Sequence, residues 1–311
     1  MPEDAIVIEN LTRKFGSVTA VDQLNLSVPT GNIFGFLGPN GAGKTTTIRL
    51  LLGLLEPTSG RCFVLGYDTM TQTDKVRANT GVLLEHTGIY EHISVKDNLE
   101  FYGRVNQMAP SERAARIEEM LTRFGLQERK QDQAGKLSQG MKQKLAIARA
   151  MLHSPPLVLL DEPTAGLDVM AAVSLRDDLA SLAASEGITI FLTTHNMVEA
   201  EQLCAQVAVI RKGKLLAVGP PDELRARAGG PQVEVVGHGF DDQVLEKLRE
   251  QEQVAAAVIG KGHLIITLKE AVDPAPLVSL LVGEGAQVSE VRKGKASLEE
   301  VFVTLMEDEN A

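Results

Sequence analysis

Gly38-Pro39-Asn40-Gly41-Ala42-Gly43-Lys44-Thr45 fits the pattern Gly-x-x-x-x-Gly-Lys-[Ser/Thr] at every specified position. The apolar run Ile33–Leu37 before it reads as a buried strand, and Thr46–Leu52 after it reads as a helix. That context suits a phosphate-binding loop. Glycines let backbone N–H groups turn inward around phosphate oxygens, and the helix N-terminus adds positive partial charge. On this reading Gly38, Pro39, Asn40, Gly41, Ala42, Gly43, Lys44, Thr45 and Thr46 surround the phosphates of ATP. Lys44 reaches the β- and γ-phosphates, and the Thr45 hydroxyl binds Mg²⁺. The plainer reading, a glycine-rich turn capping a helix, is disfavoured by the full match in its expected setting.

A nucleoside-triphosphate site also needs an acid at the end of a neighbouring strand. Leu157-Val158-Leu159-Leu160-Asp161-Glu162 supplies one, an apolar strand ending in two carboxylates. Asp161 fits the Mg²⁺ ligand and Glu162 the general base that polarises the attacking water. Alone, such a strand end is more often simply solvated; beside the loop at Gly38 the functional reading takes over. His195 follows another apolar run, Ile188–Thr193, and so stands where α/β sheets place their ligands. Leu137-Ser138-Gln139-Gly140-Met141 precedes a helix carrying Lys142, Lys144 and Arg149. Ser138 is either an ordinary N-cap or part of a helix N-terminus that meets an anion, and the local physics leaves both open.

The rest of the chain fits an α/β protein. Continuous apolar runs suit strands buried on both faces of a mostly parallel sheet. Ala5–Leu11 and Leu24–Val28 have strand patterning as well. Between about Val95 and Gln133 the periodicity turns helical, with Ile117, Met120, Leu121 and Phe124 on one face and Gly125 as the stop. A boundary falls near Gly219–Pro231, where Pro220-Pro221 precedes a short helix from Asp222 and Ala228-Gly229-Gly230-Pro231 follows it. Beyond it, Val233–Val236, Val254–Ile259, Leu264–Leu268 and Val288–Arg292 read as strands. Asp242–Gln251, Pro274–Val282 and Ser297–Met306 read as helices. The order βαββαβ suggests a ferredoxin-like arrangement. The expected domains are therefore 1–220, with a helical subdomain at about 95–150, a linker at 221–231, and a small α+β domain at 232–311.

Composition narrows the partners. The 311 residues carry a net charge of −10, and only 4% are aromatic, with no Trp. Nucleic acid is a poor partner for such a chain, because phosphate neutralisation needs clustered Lys and Arg, and single strands need stacking rings. Cys62 and Cys204, with no CxxC spacing, read as buried, reduced thiols of a cytoplasmic protein. The start, Met1-Pro2-Glu3-Asp4, is acidic and is not followed by a signal-type apolar core. The longest apolar-rich stretch, Ile48–Leu55, falls far short of the ~20 residues that span a bilayer. Membrane contact is expected only through a partner.

Taken in order, these motifs resemble the nucleotide-binding subunit of an ABC transporter, over roughly Ile6 to Pro220. Gly38–Thr46 matches the family's Walker A loop and Leu157–Pro163 its Walker B strand with the catalytic glutamate at Glu162. Leu137–Met141 stands at the signature, Ala165-Gly166-Leu167-Asp168 looks like the D-loop, and His195 matches the switch histidine. Phe15 lies where the family places a ring that stacks on adenine. The resemblance implies two cassettes joined head to tail, a homodimer, with each ATP between the Walker loop of one copy and Ser138, Gln139 and Gly140 of the other. It also implies that His195 contacts the γ-phosphate and that Asp168 helps join the two sites.

Three positions depart from the family pattern: Glu85 replaces the Q-loop glutamine, the signature reads LSQGM, and Phe15 replaces the commoner tyrosine. Glu85 can still meet Mg²⁺ or water, at the cost of a negative charge near phosphates. The signature variant and the ending Ser297-Leu298-Glu299-Glu300-Val301-Phe302 look like the ABC-2 exporter group. Its members power a separate integral-membrane permease for drug, antibiotic, polysaccharide or sodium export. The groove for that permease would lie around Glu85–Asn98 and the helical insertion. Two other readings stand beside this one: an import ATPase, and a soluble ABC ATPase acting on ribosome or DNA. Against the latter, the chain has one cassette, no sustained heptads and net negative charge.

Overall fold

Short apolar runs that carry no polar face and are bounded by polar residues suit strands shielded on both sides, and the computed structural model builds Ile33–Leu37, Leu157–Asp161 and Thr189–Thr194 that way. It describes residues 3–228, 231–260, 262–270, 272–295 and 297–302. These divide between Val218 and Gly219 into two compact units.

The first unit opens with strands β1 (Asp4–Phe15), β2 (Val18–Pro29) and β3 (Ile33–Leu37), then helix α1 (Lys44–Leu51). Next come β4 (Ser59–Val64), β5 (Tyr67–Asp68), α2 (Thr73–Ala78) and β6 (Thr80–Leu83). Helices α3 (Val95–Val105), α4 (Pro110–Arg123) and α5 (Gln139–Ala150) form the helical stretch. The unit closes with β7 (Leu157–Asp161), α6 (Val169–Glu186), β8 (Thr189–Thr194), α7 (Met197–Leu203), β9 (Gln206–Arg211) and β10 (Lys214–Gly219).

The main sheet has six strands in the order β10-β9-β3-β8-β7-β6. Pairing is parallel from β9 through β3, β8 and β7 to β6. Every residue of β3, β7 and β8 is buried. At its centre the Phe191 ring stacks on Phe34 at 5.8 Å and leans on Phe36 at 5.4 Å. A second sheet, β2-β1-β4-β5, is antiparallel. Both sheets share one core with Ile48, Leu50 and Leu51 of α1.

The first two strands outrun the stretches read from sequence. Register shifts around Asn10, at φ 48°, and Gln23, at φ 49°, let the pairing continue past each irregularity. The hairpin therefore carries Phe15 to the end of β1.

The second unit comprises α8 (Pro221–Ala228), β11 (Pro231–His238), α9 (Asp242–Arg249), β12 (Val254–Ile259), β13 (His263–Leu268), α10 (Ala275–Gly283) and β14 (Gln287–Lys295). The stretch 221–231 thus holds a helix as well as a connection. Strand order is β12-β13-β11-β14, and β11 runs antiparallel to both neighbours. This is the ferredoxin-like βαββαβ arrangement. Val233, Val235, Leu264 and Ile266 of the sheet meet Val244, Leu248, Leu277 and Leu281 of α9 and α10 in a separate core. Of the predicted last helix, Ser297–Met306, residues 298–302 are helical and residues beyond 302 lie outside the described ones.

Because Phe191 fills the space between Phe34 and Phe36, Phe191→Ala leaves a cavity at the centre of the parallel sheet. The expected loss is about 3–5 kcal/mol, read as a lower urea midpoint for the transition of the first unit.

Candidate active site

The parallel sheet puts four loop origins side by side. Register aligns Leu37 with Thr194, Asp161 with Thr193, and Leu83 with Leu160, so β3, β8, β7 and β6 end at one edge. The glycine-rich loop leaves from β3, His195 from β8, Glu162 from β7 and Glu85 from beyond β6. Ligands of open α/β sheets bind at such carboxyl ends.

Glycine is required where the loop turns into α1. Gly43 takes φ 107°, and a Cβ there would meet the Ala20 carbonyl oxygen at 2.3 Å. Gly41, at φ 80°, faces open space. Between them the backbone is free to turn its N–H groups toward a ligand. Lys44 is buried, with 6% of its surface exposed. Its ammonium donates to the carbonyl oxygens of Gly38 at 2.7 Å and Pro39 at 3.3 Å, and it lies 3.0 Å from Glu162 Oε1. The other Glu162 oxygen lies 2.6 Å from His195 Nδ1. Lys44, Glu162 and His195 thus form one chain of side-chain contacts. Thr45 and Thr46 are half-buried at the start of α1.

Glu162 holds a left-handed conformation, φ 50°, that a non-glycine residue rarely adopts. Its N–H donates to the Thr193 carbonyl at 3.1 Å and the Thr193 hydroxyl at 3.0 Å, which turns the chain out of the sheet. The same hydroxyl donates to Asp161 Oδ1 at 2.6 Å. Asp161 is 2% exposed, and its Oδ2 is buried without a hydrogen-bond partner. A buried carboxylate oxygen with spare valence beside a phosphate loop is the donor that a hard cation takes. No cluster of three or more His, Cys, Asp or Glu forms among the described residues.

Glu85, Gln139, Gln143, Asp161, Glu162 and Ala165 line one cleft. Gln139 therefore faces the same opening as the carboxylates. Glu85 carries an exposed ion pair with Arg49 at 3.5 Å, which offsets the extra negative charge but contributes little stability. Ser138 caps α5, its hydroxyl accepting the Met141 N–H at 3.3 Å, and it stays exposed with Gln139. Asp168 caps α6 in the same manner. The Phe15 ring is 44% exposed, with the Arg13 guanidinium 4.5 Å from its centroid. The ring contact of Phe15 and the hydroxyl bond of Ser138 run to Arg13 and Met141, not to the Lys44–Glu162–His195 chain.

Three supporting residues escape sequence reading. Thr193 holds Asp161 and Glu162 together. Arg149 of α5 donates to the carbonyls of Thr87 at 2.6 Å and Gly88 at 3.0 Å, fixing the loop that carries Glu85. Glu199, 1% exposed, accepts hydroxyl hydrogens from Thr164 and Thr194. Both cysteines are free and buried, and burial pushes their thiols up, so neither is poised to react.

The family model described as "ABC transporter" matches residues 21–165, and "ATP-binding protein DrrA1-3-like, C-terminal domain" matches 219–306. The daunorubicin resistance ATP-binding protein DrrA3 of Streptomyces coeruleorubidus is 33% identical, covering 99% of this chain and 98% of the relative. The bacitracin transport ATP-binding protein BcrA of Bacillus licheniformis is 36% identical, covering 96% and 95%. The Nod factor export ATP-binding protein I of Cupriavidus metallidurans is 38% identical, covering 96% of each. Among solved structures, cbiO1 of Clostridium perfringens, part of the ABC transporter complex cbiONQ, matches with a TM-score of 0.67 and 29% identity. That match covers 72% of this chain and 92% of cbiO1. The chain belongs to the ATP-binding subunits of ABC transporters. It is an ABC-type ATPase, whose family couples ATP hydrolysis to transport through a membrane permease.

Burial raises the Glu199 carboxyl above the ordinary glutamate range, with the Glu162 charge adding to the effect and the two threonine bonds opposing it. The folded chain therefore binds that proton more tightly than the unfolded chain. Its stability contribution is complete below the unfolded value and is lost as pH rises through the raised one. Glu199→Gln removes this dependence. Its melting temperature relative to wild type should climb as pH rises above the ordinary glutamate range, and a constant difference would contradict the assignment.

Proposed function

We propose that this chain hydrolyses ATP at a site completed by a second copy and drives the export permease of an ABC transporter from the cytoplasmic face of the membrane. The observation that carries the reading is the Lys44–Glu162–His195 chain at the ends of β3, β7 and β8. Lys44 is paired through Glu162, and a bound γ-phosphate offers it an alternative anion. Glu162, released from Lys44 but still next to His195, then accepts a proton from the attacking water. His195 orients that carboxylate and faces the γ-phosphate with its remaining ring nitrogen. Thr45 and Asp161 would hold Mg²⁺, with Glu85 close by; the bound ion supplies charge neutralisation on the phosphates. Phe15 receives the adenine on its open face.

A second copy accounts for what one chain leaves exposed. The α5 start at Ser138, Gln139 and Gly140 presents N–H groups and positive partial charge outward, suited to a phosphate. Val169 and Met170, just after Asp168, are 78% and 76% exposed, unusual for adjoining apolar side chains in a monomer. A two-fold homodimer covers both features reciprocally.

No described helix is long and apolar enough to cross a membrane; on this reading the transport path lies in a separate permease, as the names of the ATP-binding relatives support. Ile89, Tyr90, Ile93 and Phe101 line an apolar hollow, with Tyr90 and Phe101 packed edge to face at 5.1 Å and nearly half exposed. That hollow suits apolar side chains of a permease's cytoplasmic helices. Export of a drug, antibiotic, polysaccharide or ion is supported by full-length similarity to proteins named for daunorubicin resistance, bacitracin transport and Nod factor export.

Glu162→Gln should lower ATP turnover by roughly 10²- to 10⁴-fold, as expected for loss of a general base. With ATP and Mg²⁺ the variant should also elute as a dimer on gel filtration. Undiminished turnover would remove Glu162 from this role. For the permease hollow, Phe101→Asp should abolish co-purification with the co-expressed permease, and wild-type recovery of that complex would place the docking surface elsewhere.

A further inference from the structure

Glu199 is a carboxylate that the chemistry at Lys44 and Glu162 does not use, yet it is among the most deeply buried charged groups of the first unit, at 1% exposure. It stands in α7, where Asn196 caps the helix and accepts the Glu199 N–H at 3.1 Å. A buried acid needs compensation, and here both bonds converge on one atom. Thr194 Oγ1 donates to Glu199 Oε2 at 2.8 Å, and Thr164 Oγ1 donates to the same oxygen at 2.9 Å. The other oxygen, Oε1, is buried without a partner. Single-oxygen convergence is an expensive way to bury an acid, because half its capacity stays unmet.

The two donors belong to different parts of the site. Thr194 ends β8 and is the residue before His195; its hydroxyl also accepts the Asn196 N–H at 3.0 Å. Thr164 lies two residues after Glu162, in the turn where the Ala165 N–H donates to the Glu162 carbonyl at 3.1 Å and from which the chain continues to Asp168. Glu199 therefore ties the segment carrying His195 to the segment carrying Glu162. Those segments meet on the active side through the 2.6 Å contact between His195 Nδ1 and Glu162 Oε2. The charged neighbours are Arg176 of α6, which favours the ionised carboxyl, and Glu162, which opposes it. Cys204, just beyond α7, also feels the carboxylate.

We infer that Glu199 is a positioning residue for hydrolysis: it clasps Thr164 and Thr194, and so sets the distance between His195 and Glu162 and the path of the loop to Asp168. The inference rests on the reading of Glu162 and His195 as the hydrolytic pair. It assigns Glu199 to the rate of the chemical step and not to nucleotide binding: Thr194 reaches the loop at Gly38–Thr46 through its backbone carbonyl, which accepts the Gly38 N–H at 3.4 Å, whereas the clasp is made by the side-chain hydroxyls of Thr164 and Thr194. The clasp needs an acceptor, and it does not need a charge. A glutamine can accept both hydroxyls through its carbonyl oxygen; an alanine can accept neither.

The test is steady-state ATP turnover of the purified full chain, with KM and kcat separated, for Glu199→Ala, Glu199→Gln, Thr164→Val and the Glu199→Ala/Thr164→Val pair. Misplacement of a catalytic pair by about 1 Å can cost about 10²-fold, so Glu199→Ala should lose about 10- to 100-fold in kcat with KM little changed. Glu199→Gln should keep most of the wild-type kcat. Thr164→Val should fall between them, and the double variant should be no slower than Glu199→Ala, since both changes break one clasp. A near-wild-type kcat for Glu199→Ala, a glutamine variant as slow as the alanine one, or additive losses in the double variant would each overturn the assignment. Loss of turnover in Glu162→Gln tests the hydrolytic pair by itself and does not enter this comparison.

Discussion

A lysine ammonium buried at the end of a parallel sheet must be matched by negative charge and by acceptors, or the fold carries an uncompensated ion. Lys44 meets that requirement with two loop carbonyls and the Glu162 carboxylate. Much of the site's architecture follows. The loop must fold back so that Gly38 and Pro39 present their carbonyls. β7 must stop at Asp161 so that Glu162 turns off the sheet toward Lys44, and the strained φ of 50° is the local consequence. β8 lies between β3 and β7, so the histidine at its end is beside the pair without any further device. On the proposed mechanism the terminal phosphate of ATP takes the place of the Glu162 carboxylate at the ammonium, and binding frees the base.

The chemistry was more legible in the sequence than the packing around it. Phosphate recognition demands particular residue types at fixed spacing, so Gly38–Thr46 and the strand end at Asp161–Glu162 stand out in the sequence as candidates. Thr193, Glu199 and Arg149 do not. Thr193 meets Asp161, Glu199 meets Thr164 and Arg149 meets Thr87 across 32, 35 and 62 residues of chain, and nothing in spacing or periodicity reports that proximity. Ser138 remained open for a different reason: a serine that caps a helix and one that meets an anion have the same local sequence. Within one chain Ser138 serves as a cap, and the proposed pair would add the anion.

Fold elements followed the same logic. β3, β7 and β8 are apolar throughout, and β11 and β13 alternate cleanly between buried and half-buried positions, so pattern alone identified them. β5 spans two residues and β6 four, too short for any period to register. β10 has no fully buried position, and it is held as an edge strand by its neighbour and not by a hydrophobic face of its own. The ferredoxin-like second unit has its own core. Its family match and the full-length similarity to export subunits tie it to this branch of the family.

The most direct test of the account is a structure of the full-length chain with ATP, Mg²⁺ and the Glu162→Gln change. It should contain two copies, each ATP held by Gly38–Thr46 of one and by Ser138–Gly140 of the other, with the Lys44 ammonium on phosphate and His195 beside residue 162. ATP bound by a single chain, with Ser138 open to solvent or Lys44 still turned toward residue 162, would contradict the shared site and the release of the base on which the mechanism depends.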